Sequence, residues 1–247
     1  LIWRERSYLL KLAAIPLFIK FAFYMLSATY GETGNVIRMS LLMLPAYFAE
    51  GWLLCHFIRL ITNGQRWPFQ TTGNEAEDLK ALRVRAKPLI SGVLAFVLIN
   101  LAIALYFTIF THFTPAEIWE GKEVNPEDIP QTTAVIIVLL FALMIAAFKL
   151  AWFYIPLAAN ILPITYMKKL QGFAMTIRLI GLWLLCFVPI MVTMQVFLSP
   201  LLVAETSGSA SQVLIALLTV CFDTLKNIVV TAGMTFAIMQ LVYERQK

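Results

Sequence analysis

Charge is scarce in this chain. Asp, Glu, Lys and Arg make up 13% of its 247 residues, against about 25% in soluble domains. So little charge cannot clothe a water-soluble body of this size, and the apolar residues, 60% of the total, fall in long runs. Cysteine is nearly absent too. Cys55, Cys186 and Cys221 lie in apolar stretches and form no CxxC pair, which excludes a disulfide framework and leaves three small hydrophobes.

The two histidines, His56 and His112, are predicted near opposite membrane faces. They cannot share a haem or a metal, and His56 reads as an interfacial residue. No cofactor or metal site is expected. GxSxG, HExxH, Walker A and GxGxxG patterns are missing, as is any aspartate cluster for metal-dependent phosphoryl transfer. These absences predict a chain that is not an enzyme. The net charge is +5, but no basic run interleaved with aromatics accompanies it, so nucleic acid is not an expected partner.

What is present is membrane-spanning length. Six stretches reach the roughly 20 mostly apolar residues that cross a bilayer: 8–28, 36–58, 89–110, 133–158, 177–198 and 213–242. Their apolarity is continuous rather than alternating, which predicts helices and not barrel strands. The expected fold class is all-α, one domain, a bundle of six transmembrane helices in a lipid bilayer. Arg4, Glu5 and Arg6 precede the first stretch with no small-residue cleavage site, although the chain opens on Leu1, so this span is expected to be retained.

The loop charges alternate. Arg4, Arg6 and Lys11 mark the start. Arg59, Arg66, Lys80, Arg83, Arg85 and Lys87 follow the second span, Lys168, Lys169 and Arg178 the fourth, and Arg245 and Lys247 the sixth. The third connection carries Glu117, Glu120, Glu123, Glu127 and Asp128 against Lys122, and the fifth carries only Glu205. The positive-inside rule then predicts both termini in the cytoplasm, in a cytoplasmic (inner) membrane. Arg38, beside Glu32, is the one basic residue against the pattern.

Two connections have character of their own. Residues 74–87 run acidic to basic with Leu79, Leu82 and Val84 between, which predicts a short cytoplasmic helix matched to its own dipole. It is expected either to lie against lipid headgroups or to dock a soluble partner, with Lys80, Arg83, Arg85, Lys168 and Lys169 as docking candidates. The outer loop 111–131 is acidic and carries Pro115, Pro126 and Pro130. Residues 116–119 are expected to form an interfacial turn there, anchored by Trp119.

Intramembrane charge is the sharpest signal, since each such group costs a few kcal/mol to insert. Lys20, Glu50, Lys149, Asp223 and Lys226 all fall within predicted spans. Asp223 and Lys226 share a helix face, with Thr219 and Asn227 one turn to either side. Glu50 is left with Lys20 or Lys149 as partner. These groups read as a polar pathway, as ion pairs that fix helix register, or as charges whose partner sits in another subunit. Pro45, Pro156 and Pro189 predict kinks, and Gly51, Gly92, Gly181 and Gly233 predict close helix approach.

After the fourth span the chain runs AWFYIPLAANILPITYMKKLQGFAMTIRLIGLWLL. This aromatic-Pro exit, the short basic segment and the following Gly181-Leu182-Trp183 resemble bacterial six-span inner-membrane proteins related to the membrane domain of glycerophosphodiester phosphodiesterases. Those proteins usually place Ser after the basic pair, where this chain has Leu170 and Gln171. The resemblance implies a bacterial inner membrane and a six-helix fold, and carries over no catalytic residue. Two functions are expected: a scaffold or accessory subunit that meets other membrane-protein subunits or its own copies, or a carrier or channel for a small solute or ion.

Overall fold

In the computed structural model, residues 3–30, 36–68, 73–114, 130–203 and 209–243 are described. Every regular element among them is helical. In chain order these are α1 (Arg6–Tyr30), α2 (Val36–Leu42), α3 (Leu44–Asn63), α4 (Glu75–Phe113), α5 (Gln131–Ala147), a 3-10 turn (Phe148–Trp152), α6 (Tyr154–Ala158), α7 (Pro163–Lys169), α8 (Phe173–Val203) and α9 (Ser209–Tyr243). The turn expected around Trp119, the acidic residues of the outer loop, Glu32, Glu205, Arg245 and Lys247 lie outside the described residues.

Five helical spans are long and apolar enough to cross a membrane, and there are six if the bent pair α2–α3 forms one span. The chain is an all-α polytopic membrane bundle. Its axis is α3, in which Leu53 to Leu60 are buried without interruption. Burial on all sides is what a helix enclosed by others shows. Around it, α1 and α4 pack on two flanks, while α9 packs on α3, α1 and α8. By contrast, α5 has no buried residue. Its Val138 is 67% exposed and Leu185 on α8 is 72% exposed, surface that is stable only against hydrocarbon.

The predicted span 36–58 is corrected to two helices that meet at Met43 with a bend of 61°. Pro45 opens α3. It has no N–H for the Leu41 carbonyl, and its ring would clash there in a straight helix. In the fourth span the break precedes Pro156 for the same reason: a 3-10 turn, closed by the Phe153 N–H on the Leu150 carbonyl at 3.0 Å, takes the place of an α-turn under the ring. Around Pro189, α8 runs on unbroken.

The segment 74–87 is not a separate helix. It is the first third of α4, a helix of 39 residues that continues through buried Pro88 and is roughly 58 Å long. The Asn74 side chain accepts from the Ala76 N–H at 3.3 Å, and Glu75, Glu77 and Asp78 occupy the first turn, both favourable at a helix start. Pro88 takes the donor from the Val84 carbonyl, and Arg59 holds the adjacent Arg85 carbonyl at 2.7 Å. Neighbouring groups of this kind let a membrane helix carry proline.

Close backbone approach sets the spacing where apolar side chains have no water to escape. A Cβ on Gly92 would stand 2.8 Å from Cys55 Sγ and 3.0 Å from Ala158 Cβ, so α4, α3 and α6 meet there. Gly51 faces Phe96 and Gly233 faces Cys186 in the same way. Gly181 does not: nothing lies within 4 Å of its added Cβ, because it looks outward from α8.

The basic segments gather at one end of the bundle. Glu5 pairs with Arg66 at 2.7 Å, and the Trp67 N–H donates to Tyr8 Oη at 2.8 Å, so the start of α1 meets the end of α3. Lys169 reaches the Val242 carbonyl at 3.4 Å, which brings the α7 connection to the end of α9. Asn160, Arg59 and Arg85 line one cavity and join the two groups.

Candidate functional site

Four of the five intramembrane charges form one chain. Lys20 Nζ on α1 donates to Glu50 Oε1 on α3 at 2.6 Å and to Asp223 Oδ2 on α9 at 2.5 Å. Asp223 Oδ1 accepts from Lys226, one turn along α9. Asn227 Nδ2 donates to Glu50 Oε1 at 2.7 Å. The order is thus Asn227, Glu50, Lys20, Asp223, Lys226, and two ammonium groups balance two carboxylates.

Helix geometry explains the arrangement. Asp223 and Asn227 are one turn apart on α9, so α9 presents a carboxylate and an amide to the seam between α1 and α3. The series continues at four-residue spacing to Thr231 and Thr235. Thr231 Oγ1 shares a hydrogen bond of 2.8 Å with Tyr154 Oη on α6, and Thr235 is fully buried. The i+4 register that groups Asp223 and Asn227 in the sequence carries on through both threonines. Thr219, expected on the same face, makes no hydrogen bond among the described residues.

The chain is closed at one end and more open at the other. The Lys20 and Glu50 side chains are 8% and 6% exposed, whereas Asp223 is 32% exposed. Lys226, beyond Asp223, stands 5.7 Å from the Phe187 ring on α8, a distance at which the ring face attracts a cation.

Lys149 does not join. It sits half-buried in the 3-10 turn, and its ammonium has no ion pair or hydrogen bond among the described residues. Glu50 is therefore partnered by Lys20, not Lys149, because the turn before Pro156 carries Lys149 away from α3. Only its carbonyl is held, by Tyr166 Oη at 2.6 Å. Tyr166, on α7, is fully buried, and burial pushes its phenol up from the ordinary value.

His56 is buried among neighbouring side chains. Trp67, past the end of α3, folds back to 5.4 Å from the imidazole, Trp52 stands 4.5 Å from it, and the two indoles meet edge-on at 6.4 Å. The imidazole Nε2 is buried and has no hydrogen-bond partner among the described residues. No group of three metal-ligating side chains occurs among the described residues.

The docking candidates divide. Lys80 and Arg85 line a cavity of about 430 Å³ at the basic end, while Arg83 and Lys168 are exposed outside it. Lys169 is occupied with the end of α9. Arg59, an orientation signal in the sequence, is 6% exposed and reaches both Gln65 and Arg85. Its placement depends on the close of α3. Gly64 turns left-handed at φ 65° and donates to the Leu60 carbonyl at 3.1 Å, which returns Gln65 to the guanidinium.

No protein-family model matches the chain, and no curated protein or solved structure gives a significant match.

Proposed function

We propose that this chain is an integral scaffold or accessory subunit of a larger assembly in a bacterial inner membrane. The observation that carries the reading is Lys149. Its ammonium lies within the fourth span and has no counter-ion among the described residues, while the other four intramembrane charges neutralise one another. A lone charge at such a position is costly, and an acidic side chain on another membrane subunit would relieve it. The closed charge chain then has a structural role, holding α1, α3 and α9 in register.

In this reading both termini and the connections after α3 and α6 face the cytoplasm. The support is the positive-inside pattern together with the gathering of Arg66, Arg85 and Lys169 at one end. No catalytic role is assigned to any residue.

A second reading has one observation in its favour. Asp223 is a third exposed, as a carboxylate on a path for a small solute or ion would be. Replacement separates the two. Under the subunit reading, Lys149→Met releases the partner from a protein that still accumulates, and Glu50→Gln lowers abundance. Under the carrier reading, Glu50→Gln or Asp223→Asn abolishes flux in liposomes at full abundance, and Lys149→Met changes nothing that co-purifies.

A further inference from the structure

The cavity at the basic end is lined by more cationic than anionic side chains. Arg59, Lys80 and Arg85 line it against the single carboxylate of Glu77. Arg59 is the deepest of these, and among the described residues its guanidinium is held by neutral oxygens: Gln65 Oε1, at 3.0 Å from Nε and 2.5 Å from Nη2, and the Arg85 carbonyl, at 2.7 Å from Nη1. Burying a guanidinium without a carboxylate is unfavourable unless an anion is supplied.

The neutral groups at the rim are also suited to an anion. Because the Gln65 oxygen is engaged by Arg59, its amide N–H groups are what it has left to donate. Asn63 adds a second amide and Asn160 a third. Asn160 adopts the left-handed conformation, φ 61°, which asparagine tolerates better than most residues and which lets the connection after α6 complete the wall.

Volume and position narrow the class. The cavity, about 430 Å³, falls within the range of roughly 300–1,000 Å³ typical of ligand sites. Val84 and Pro88 form an apolar wall, and α4 exposes Leu79, Leu82 and Val84 over the same stretch. Ammonium, guanidinium and neutral amide groups beside apolar surface, where a helix leaves the bilayer, match a phosphate joined to hydrocarbon.

We propose that this cavity binds a phosphate-class anion through Arg59, Lys80 and Arg85. The headgroup of an anionic phospholipid and a free phosphate share that chemistry. The site stands whether the protein is a subunit or a carrier.

The test uses the whole chain in nanodiscs of phosphatidylcholine mixed with phosphatidylglycerol, counting lipids retained by native mass spectrometry. In parallel, thermal unfolding is followed in pure phosphatidylcholine with and without inorganic phosphate. Lys80→Gln/Arg85→Gln removes two cavity cations, and Arg83→Gln/Lys168→Gln removes the same charge outside it. Retention of phosphatidylglycerol about 30-fold weaker in the first variant only supports the site with a lipid as source. Stabilisation by phosphate in the wild type and the control, lost in the first variant, supports it with free phosphate as source. If the first variant does not fold, Ala81→Trp, which fills the cavity and keeps its charges, must produce the same loss. Equal behaviour of all forms on both probes, or equal loss in the control, overturns the proposal.

Discussion

The Lys20 ammonium is 2.6 Å from the Glu50 carboxylate on α3, and the same nitrogen is 2.5 Å from Asp223 on α9. One side chain on α1 thereby ties three helices that lie far apart in sequence. Among the described residues Glu50 has Lys20 as its one cationic partner, whereas Asp223 has Lys20 and Lys226. The chain is therefore asymmetric in what each residue's loss leaves behind.

Removal of Lys20 leaves two carboxylates facing one another with a single ammonium at the far side. Lys20→Met is expected to cost about 3–5 kcal/mol, as breaking a buried pair does. Glu50→Gln keeps Lys20 on Asp223 and should cost about 1–3 kcal/mol. Lys226→Met, at the more exposed end, should cost least. Thermal unfolding in detergent gives the order, and equal losses from all three would remove Lys20 from the centre of the chain.

Complete neutralisation should do less harm than removing one member. In Lys20→Met/Glu50→Gln/Asp223→Asn/Lys226→Met no charge is left uncompensated, and Asn227 keeps an amide oxygen to donate to. Replacement of a whole buried ion set is often neutral or stabilising. The combined variant is expected to unfold near the wild-type temperature and above Lys20→Met. If it unfolds at or below Lys20→Met, the charges do more than compensate one another.

Gly92→Ala places a methyl 2.8 Å from Cys55 Sγ and 3.2 Å from Ala158 Cα. The backbone contact cannot yield as a side chain can, so a loss of about 1–3 kcal/mol is expected. Gly181→Ala meets nothing within 4 Å and should be neutral or slightly stabilising in a helix interior. Unfolding temperatures of the two variants, measured side by side, check the contrast.

Sidedness tests whether α2 and α3 together make one crossing. In a background with Cys55, Cys186 and Cys221 replaced, single cysteines at Arg4, Lys80 and Lys168 are expected to react with a membrane-impermeant maleimide from the cytoplasmic face. A cysteine at Thr114, at the opposite end of α4 from Lys80, should react only from the other face. Labelling of positions 4 and 80 from opposite faces would make the bent pair re-entrant.

Hydropathy made the spans legible because a bilayer demands a minimum length of apolar helix and little else. Pro45 and Pro156 mark kinks in the sequence but do not show that one is a 61° bend at Met43 and the other a 3-10 turn, since a proline's effect depends on what its freed carbonyl meets. Pro88 illustrates the reverse: Arg59 comes from another helix to hold the neighbouring carbonyl, and α4 continues where a boundary was expected. The scarcity of charge singled out the members of the site, and spacing along α9 grouped Asp223, Lys226 and Asn227. The choice of Lys20 over Lys149 for Glu50 was not readable, because it rests on how α1 and the fourth span pack around α3. The cavity was hidden for a related reason: its walls come from the end of α3, the first turns of α4 and the connection after α6, which meet only in the folded bundle.

The subunit role is tested most directly by the native mass of the wild-type protein in mild detergent, with each co-purifying chain identified and the measurement repeated on Lys149→Met. A second membrane protein in fixed stoichiometry, lost from a still-folded Lys149→Met variant, is the expected result. A lone monomer or a homo-oligomer, or a complex unchanged by Lys149→Met, would contradict it.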